Sequence, residues 1–158
     1  MKFFSYIFFV ILLVFTSCQQ FGSCYGVDCT SPPNPVRISV ISGETDLIYS
    51  GYYSIDSIGI YLRTESGELN LMETFFEKDT VNSRVIISCD DMAWNSLEGF
   101  DDYFLAYNSQ EYDSIYLKVI SVTENCCNFH PISNITINGE VPAFENEFHC
   151  FLIEKNIK

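Results

Sequence analysis

From Val36 onward the chain alternates apolar and polar positions in short segments punctuated by turn residues, the pattern of strands. Val36, Ile38 and Val40 alternate with Arg37 and Ser39, and Ser42-Gly43-Glu44 then turns the chain toward a short second strand at Leu47 to Ser50. Ser57 to Thr64 places Ile58, Ile60 and Leu62 on one face, and Glu65-Ser66-Gly67-Glu68 folds it back as a hairpin on Leu69 to Glu77. Arg84 to Cys89 aligns Val85, Ile87 and Cys89, which puts that thiol with the core. Asp101 to Asn108 and Ser114 to Thr123 predict two further strands, the second with Ile115, Leu117 and Val119 on one side. Ile135 to Ile137 runs into Asn138-Gly139, a hairpin-turn dipeptide. The last strand, Glu147 to Ile153, is apolar on both faces and therefore expects cover on both. One stretch, Asp90 to Gly99, reads as a short helix capped by Asp90 and carrying Met92, Trp94 and Leu97. About eight strands at such intervals predict an all-β fold, an antiparallel β-sandwich of the immunoglobulin-like or transthyretin-like kind, stapled by disulfides.

The N-terminal segment follows a different rule. Lys2 is followed by an unbroken apolar run from Phe3 to Phe15, shorter than the roughly 20 residues a membrane-crossing helix needs. This predicts an export signal. Phe15-Thr16-Ser17-Cys18 resembles a bacterial lipobox, with Phe15 in place of the usual leucine. The resemblance implies that residues 1–17 are removed and that Cys18 is acylated by two or three chains, enough for stable anchoring where one chain is marginal. Residues 18–35, rich in Gly, Ser, Pro and Cys, read as a lipidated tether, and residues 36–158 as the β-domain.

Lys2 is the only charged residue of the removed segment, so the mature chain balances 7 basic against 21 acidic side chains. Such a surface repels nucleic acid and anionic headgroups. The odd count of seven cysteines resolves once Cys18 is assigned to lipid. Cys24, Cys29, Cys89, Cys126, Cys127 and Cys150 then form an even set in an oxidising compartment, consistent with three disulfides and fifteen connectivities. Neighbouring α-carbons lie closer than a relaxed disulfide allows, which disfavours a Cys126 to Cys127 bond. The expected pairing joins Cys24 and Cys29 to the Cys126-Cys127 pair, and Cys89 to Cys150.

Candidate chemistry is sparse. His130 and His149, with Cys126, Cys127 and Cys150, include zinc-compatible ligand types. Exported thiols usually oxidise, and His149 and Cys150 leave opposite faces of one strand, so disulfides are preferred over a metal. Asp90, Asp91, Glu98, Asp101 and Asp102 could offer oxygens to calcium, but their spacing matches no EF-hand loop, and a solvated acidic surface is the simpler reading. The chain has no G-x-S-x-G, H-E-x-x-H, C-x-x-C or glycine-rich phosphate loop, so no catalytic residue, metal or cofactor is assigned and the expectation is a non-enzyme. The doublets Tyr52-Tyr53 and Phe75-Phe76 each force one ring outward if they lie in strands, where it could meet a glycan or protein.

The mature chain resembles the small outer-membrane lipoproteins of Bacteroidetes. The residues that carry the resemblance are the signal through Cys18, Asp28-Cys29 before Ser31-Pro32-Pro33, the Asp-Ser-Ile triplets at 56–58 and 113–115, and Cys126-Cys127 ahead of Ile135-Thr136-Ile137-Asn138-Gly139. It implies an outer-membrane location and no activity. Those triplets, with Asp79-Thr80-Val81, also look like the O-glycosylation acceptor of exported Bacteroidetes proteins, which implies sugar on Ser57, Thr80 and Ser114; as plain turn chemistry they need no such role. The functional expectation is a lipid-anchored binding or structural accessory in the cell envelope. A glycan- or calcium-binding module is the alternative, and a hydrolase the distant one.

Overall fold

The computed structural model describes residues 29, 31–124 and 127–157. Among them, two open sheets share one core. The first sheet has the order β12 (Ala143–Glu145), β13 (Cys150–Glu154), β1 (Val36–Ser42), β6 (Arg84–Cys89), β5 (Phe75–Asp79), with β2 (Thr45–Asp46) paired to β1. The second runs β11 (Ile132–Ile137), β8 (Tyr112–Val119), β7 (Asp102–Ala106), β3 (Gly59–Arg63), β4 (Leu69–Leu71). Val36, Ile38, Val40, Val85 and Ile87 from the first sheet meet Ile60, Leu62, Tyr103, Leu105, Ile115 and Leu117 from the second in that core. The alternation read from the sequence at these strands therefore points inward as expected.

Helix α1 (Asp90–Leu97) starts one residue earlier than an Asp90 cap would place it. Cys89 is the N-cap, without a side-chain bond, while Asp90 and Asp91 occupy the first turn, where carboxylates favour the helix dipole. Met92 and Ala93 enter the core. Ser96 docks the helix on β8: its hydroxyl donates to the Leu117 carbonyl at 3.1 Å and accepts from the Val119 amide at 2.8 Å.

Five expectations change. Leu47 to Ser50 is a turn rather than a strand, because the Asp46 carboxylate accepts the amides of Ile48 and Tyr49 at 2.9 and 2.7 Å and curls the chain. The segment after the 65–68 turn splits: β4 stays with β3, while β5 crosses to the edge of the other sheet. Glu147 to His149 is likewise a turn, with His149 at φ +49°, so the last strand begins at Cys150. That strand pairs with β1 in parallel, Ile38 opposite Phe151, within otherwise antiparallel pairing. Short segments such as β2, β9 (Val122–Glu124), β10 (Cys127–Phe129) and β12 raise the described strands to thirteen, beyond the eight or so expected.

Within the expected tether, Cys29 is bonded to Cys127, with α-carbons 4.8 Å apart. The Asn128 amide donates to the Cys29 carbonyl and the Ser31 amide to the Asn128 carbonyl, at 3.1 and 3.2 Å, so this stretch adds to the β9–β10 ribbon. Pro33 is buried. Cys18, Cys24 and Cys126 lie outside the described residues.

The Cys89 to Cys150 pairing is corrected: both are buried free thiols. Cys89 lies opposite Val36 on the core side of β6, whereas Cys150 sits one residue before the Ile38 partner on β13, so the two leave opposite faces of the sheet. With β1 between them they stand two strand spacings apart, about 9–10 Å, beyond the roughly 7 Å limit for a disulfide. Burial pushes both thiols up to about 11, assisted at Cys150 by the Glu145 carboxylate. A thiol reagent at pH 8 should therefore leave both unmodified in the folded protein, and denaturation without reductant should release at least these two. Fewer than two thiols after denaturation would mean that they are bridged.

Candidate functional site

Two places combine exposure with convergent side chains. The first is the face of the second sheet turned away from the core. On β3, β7 and β8 the positions between core residues carry Gly59, Tyr61 and Arg63, then Asp102, Phe104 and Ala106, then Tyr112, Ser114 and Tyr116. Register sets their spacing. Tyr61 stands opposite both Phe104 and Leu71, Phe104 opposite Ser114, and Tyr116 opposite both Asp102 and Thr136. Directly opposed residues share a face about 5 Å apart, so an aromatic and aliphatic band runs across four strands.

Contacts within the band are specific. Phe104 meets Tyr112 edge to face, with centroids 5.6 Å apart, and the Arg63 guanidinium lies 4.3 Å above the Phe104 ring. Leu71 and Tyr61 lie over Gly59, where an added Cβ would come within 3.0 and 3.1 Å of them. Leu71 is 67% exposed and Tyr112 62%. A shallow cavity of about 290 Å³ opens beside Phe104 and Tyr116, with Arg63, Asp102, Ser114 and Thr136 on its walls. Ring faces next to hydroxyl, carboxylate and guanidinium groups form an amphipathic recognition surface.

The second place is a cavity of about 580 Å³ at the ends of β1 and β13, lined by both histidines together with Arg37, Phe144 and Phe151. Among the described residues no serine, threonine, cysteine or carboxylate lines it.

Among the described residues no group of three or more His, Cys, Asp or Glu side chains is placed to hold a metal. Of the acidic candidates, Asp90 and Asp91 sit on the first turn of α1, while Glu98, Asp101 and Asp102 border one shallow pocket together with Arg63 and Glu65. Tyr52-Tyr53 lies in a turn rather than a strand: Tyr53 is buried and stacks on Tyr107 at 4.5 Å, and Tyr52 is exposed. Phe75-Phe76 follows the strand rule, with Phe76 against the core and Phe75 outward. Ser57, Thr80 and Ser114 are all exposed. The Ser57 hydroxyl lies 2.7 Å from the Tyr107 carbonyl and Ser114 lies against Asn138, while Thr80 tops the β5–β6 turn. Asp79 organises that turn through the Asn82 side chain and the Asn82 and Val81 amides, which hold its carboxyl below the usual range.

Asp113 is no turn residue. It is an inward position of β8, buried, and accepts from the Tyr107 hydroxyl at 2.5 Å, Asn138 Nδ2 at 2.7 Å and Lys155 Nζ at 2.9 Å. Lys155 also reaches Glu111 at 3.3 Å, and Glu111 accepts from the Tyr53 hydroxyl at 2.6 Å. This closed network ties the chain end to the core and is structural.

Reading aromatic doublets missed the band on the second sheet. The signal was present in the strands already recognised, at the outward positions Tyr61, Phe104 and Tyr116. Comparison with protein-family models, curated proteins and solved structures gives no match. The functional reading therefore rests on this chain's own chemistry.

Proposed function

We propose that this protein is an exported, lipid-anchored envelope protein, held by acylated Cys18, that acts by binding rather than catalysis and holds a saccharide on the outward face of its second sheet. The contiguous band of Tyr61, Phe104, Tyr112 and Tyr116 carries this reading, because a pyranose ring offers an apolar C–H face to an aromatic ring while its hydroxyls need the polar groups beside it. Arg63, Asp102, Ser114 and Thr136 supply those groups. The Cys29–Cys127 disulfide is compatible with an oxidising compartment and supports export. Among the described residues no helix is long and apolar enough to cross a membrane. The shared core of the two sheets supports a sandwich of the immunoglobulin-like or transthyretin-like kind. Outer-membrane residence, and glycosylation of Ser57, Thr80 and Ser114, belong to the same proposal.

The mature acylated protein in detergent should retain members of a glycan array. Phe104→Ala and Tyr116→Ala should each weaken retention at least tenfold, about 1.4 kcal/mol, with unfolding midpoints near that of the parent. Retention unaltered by both variants, or none from any glycan class, would contradict the reading. Release of the protein into the soluble fraction by Cys18→Ala tests the anchor separately; persistence in the membrane would exclude acylation as its cause.

A further inference from the structure

We propose that the cavity holding both histidines is a second binding site, for a small carboxylate with an aromatic or branched apolar body. It is distinct from the aromatic band on the other sheet and does not depend on saccharide binding there. Its place follows from topology. Because β1 and β13 run in parallel, their first residues lie side by side, which brings Pro35 and Arg37 next to His149. The link between β10 and β11 adds His130 and Pro131, the start of β11 adds Ile132, and β12 adds Phe144.

Charge selects the ligand's sign. The chain carries 21 acidic against 8 basic side chains, yet among the described residues this cavity is lined by an arginine and both of the chain's histidines and by no acid. Arg37 gives one terminal nitrogen to Glu77 at 2.7 Å, but its Nε is buried without a partner, and so is His130 Nδ1. A carboxylate fits: its two oxygens can accept from a guanidinium N–H and an imidazole N–H, and such charge-assisted bonds are about twice as strong as neutral ones.

The walls select the rest. Phe144 and Phe151 face each other across β12 and β13 with centroids 5.1 Å apart, in an edge-to-face arrangement, and Phe144 is still 48% exposed. Pro35, Pro131 and Ile132 complete an apolar lining. A volume of about 580 Å³ lies within the range of small-molecule sites and well above what acetate would fill. Both a cationic end and an apolar body are therefore needed for recognition.

Trp94, the single tryptophan, has its ring 6.4 Å from that of His130 and reports on the site. The full mature protein should be titrated with hydrocinnamate, with its neutral amide and with acetate, following Trp94 emission and calorimetric heat. Hydrocinnamate should bind saturably, and the amide and acetate should bind at least tenfold more weakly. Arg37→Met, which keeps the aliphatic stem, and His130→Ala should each cost at least tenfold in affinity for hydrocinnamate. Phe104→Ala, on the other sheet, should leave it unchanged, which separates this site from the saccharide reading. Equal affinity for acid and amide, indifference to both Arg37→Met and His130→Ala, or no saturable binding of hydrocinnamate would overturn the proposal.

Discussion

Asp46→Ala should destabilise the fold by about 4 kcal/mol, the largest loss expected from any single side chain here. Asp46 is 3% exposed, and both its oxygens are used twice. One accepts the amides of Ile48 and Tyr49, and the other accepts the Ser39 hydroxyl at 3.0 Å and the Val85 amide at 3.0 Å. The second oxygen thus takes the place of a strand carbonyl: β1 and β6 are paired only as far as Ile38 and Ile87, and the carboxylate serves the next free amide of β6. Removing it leaves two buried amides and one partly buried amide without acceptors, the buried ones each costing roughly 1–3 kcal/mol. Asp46→Asn should cost about half as much, since it keeps one acceptor oxygen and Ser39 can turn its lone pair to the new amide. Urea midpoints of the two variants check the order. Equal stability of Asp46→Ala and the parent would mean that water satisfies those amides.

Lys155→Met should cost about 3 kcal/mol, because it leaves the buried Asp113 carboxylate without its cation. Lys155 also lies 4.4 Å from the Tyr107 ring centre, so its loss removes a cation–π contact at the same point. The double variant Asp113→Asn, Lys155→Met should recover part of that loss, since the uncompensated charge goes with the aspartate. The network also sets an alkaline limit. Burial, then the nearby Asp113 charge, then the hydrogen bond to it hold the Tyr107 phenol well above its ordinary value; burial, then Glu111 do the same for Tyr53. A phenol raised in the folded state stabilises fully below the unfolded value of about 10 and loses that contribution as pH rises further. Stability should therefore be flat toward pH 9 with respect to these groups and fall above pH 10. Ultraviolet titration should show these tyrosines ionising only with unfolding; reversible ionisation of every tyrosine near pH 10 in the folded protein would contradict this.

The strands were legible where local alternation and tertiary burial agree. Val36 to Ile41, Ile58 to Leu62 and Arg84 to Cys89 present the faces that their periodicity assigns them. Alternation failed where one side chain competes with the ladder: Leu47 and Ile48 are apolar and buried as a strand would make them, but Asp46 holds them in a turn. It also failed where partners are distant. Nothing local tells β13 to lie parallel to β1, and that pairing decides both the separation of Cys150 from Cys89 and the meeting of His149 with Arg37. His130 and His149 were recognisable as candidates, but as ligands of a metal; their shared cavity contains an arginine and phenylalanines that only the fold brings there. The aromatic band was legible in principle, since the period that buries Ile60, Leu105 and Ile115 turns Tyr61, Phe104 and Tyr116 outward.

Saccharide binding on that outward face is tested most directly by amide shift mapping of the mature protein with a glycan retained on the array. The account predicts perturbations centred on Tyr61, Phe104, Ser114 and Tyr116, lost in Phe104→Ala while the rest of the spectrum is preserved. Perturbations centred elsewhere, or unaltered in Phe104→Ala, would contradict it.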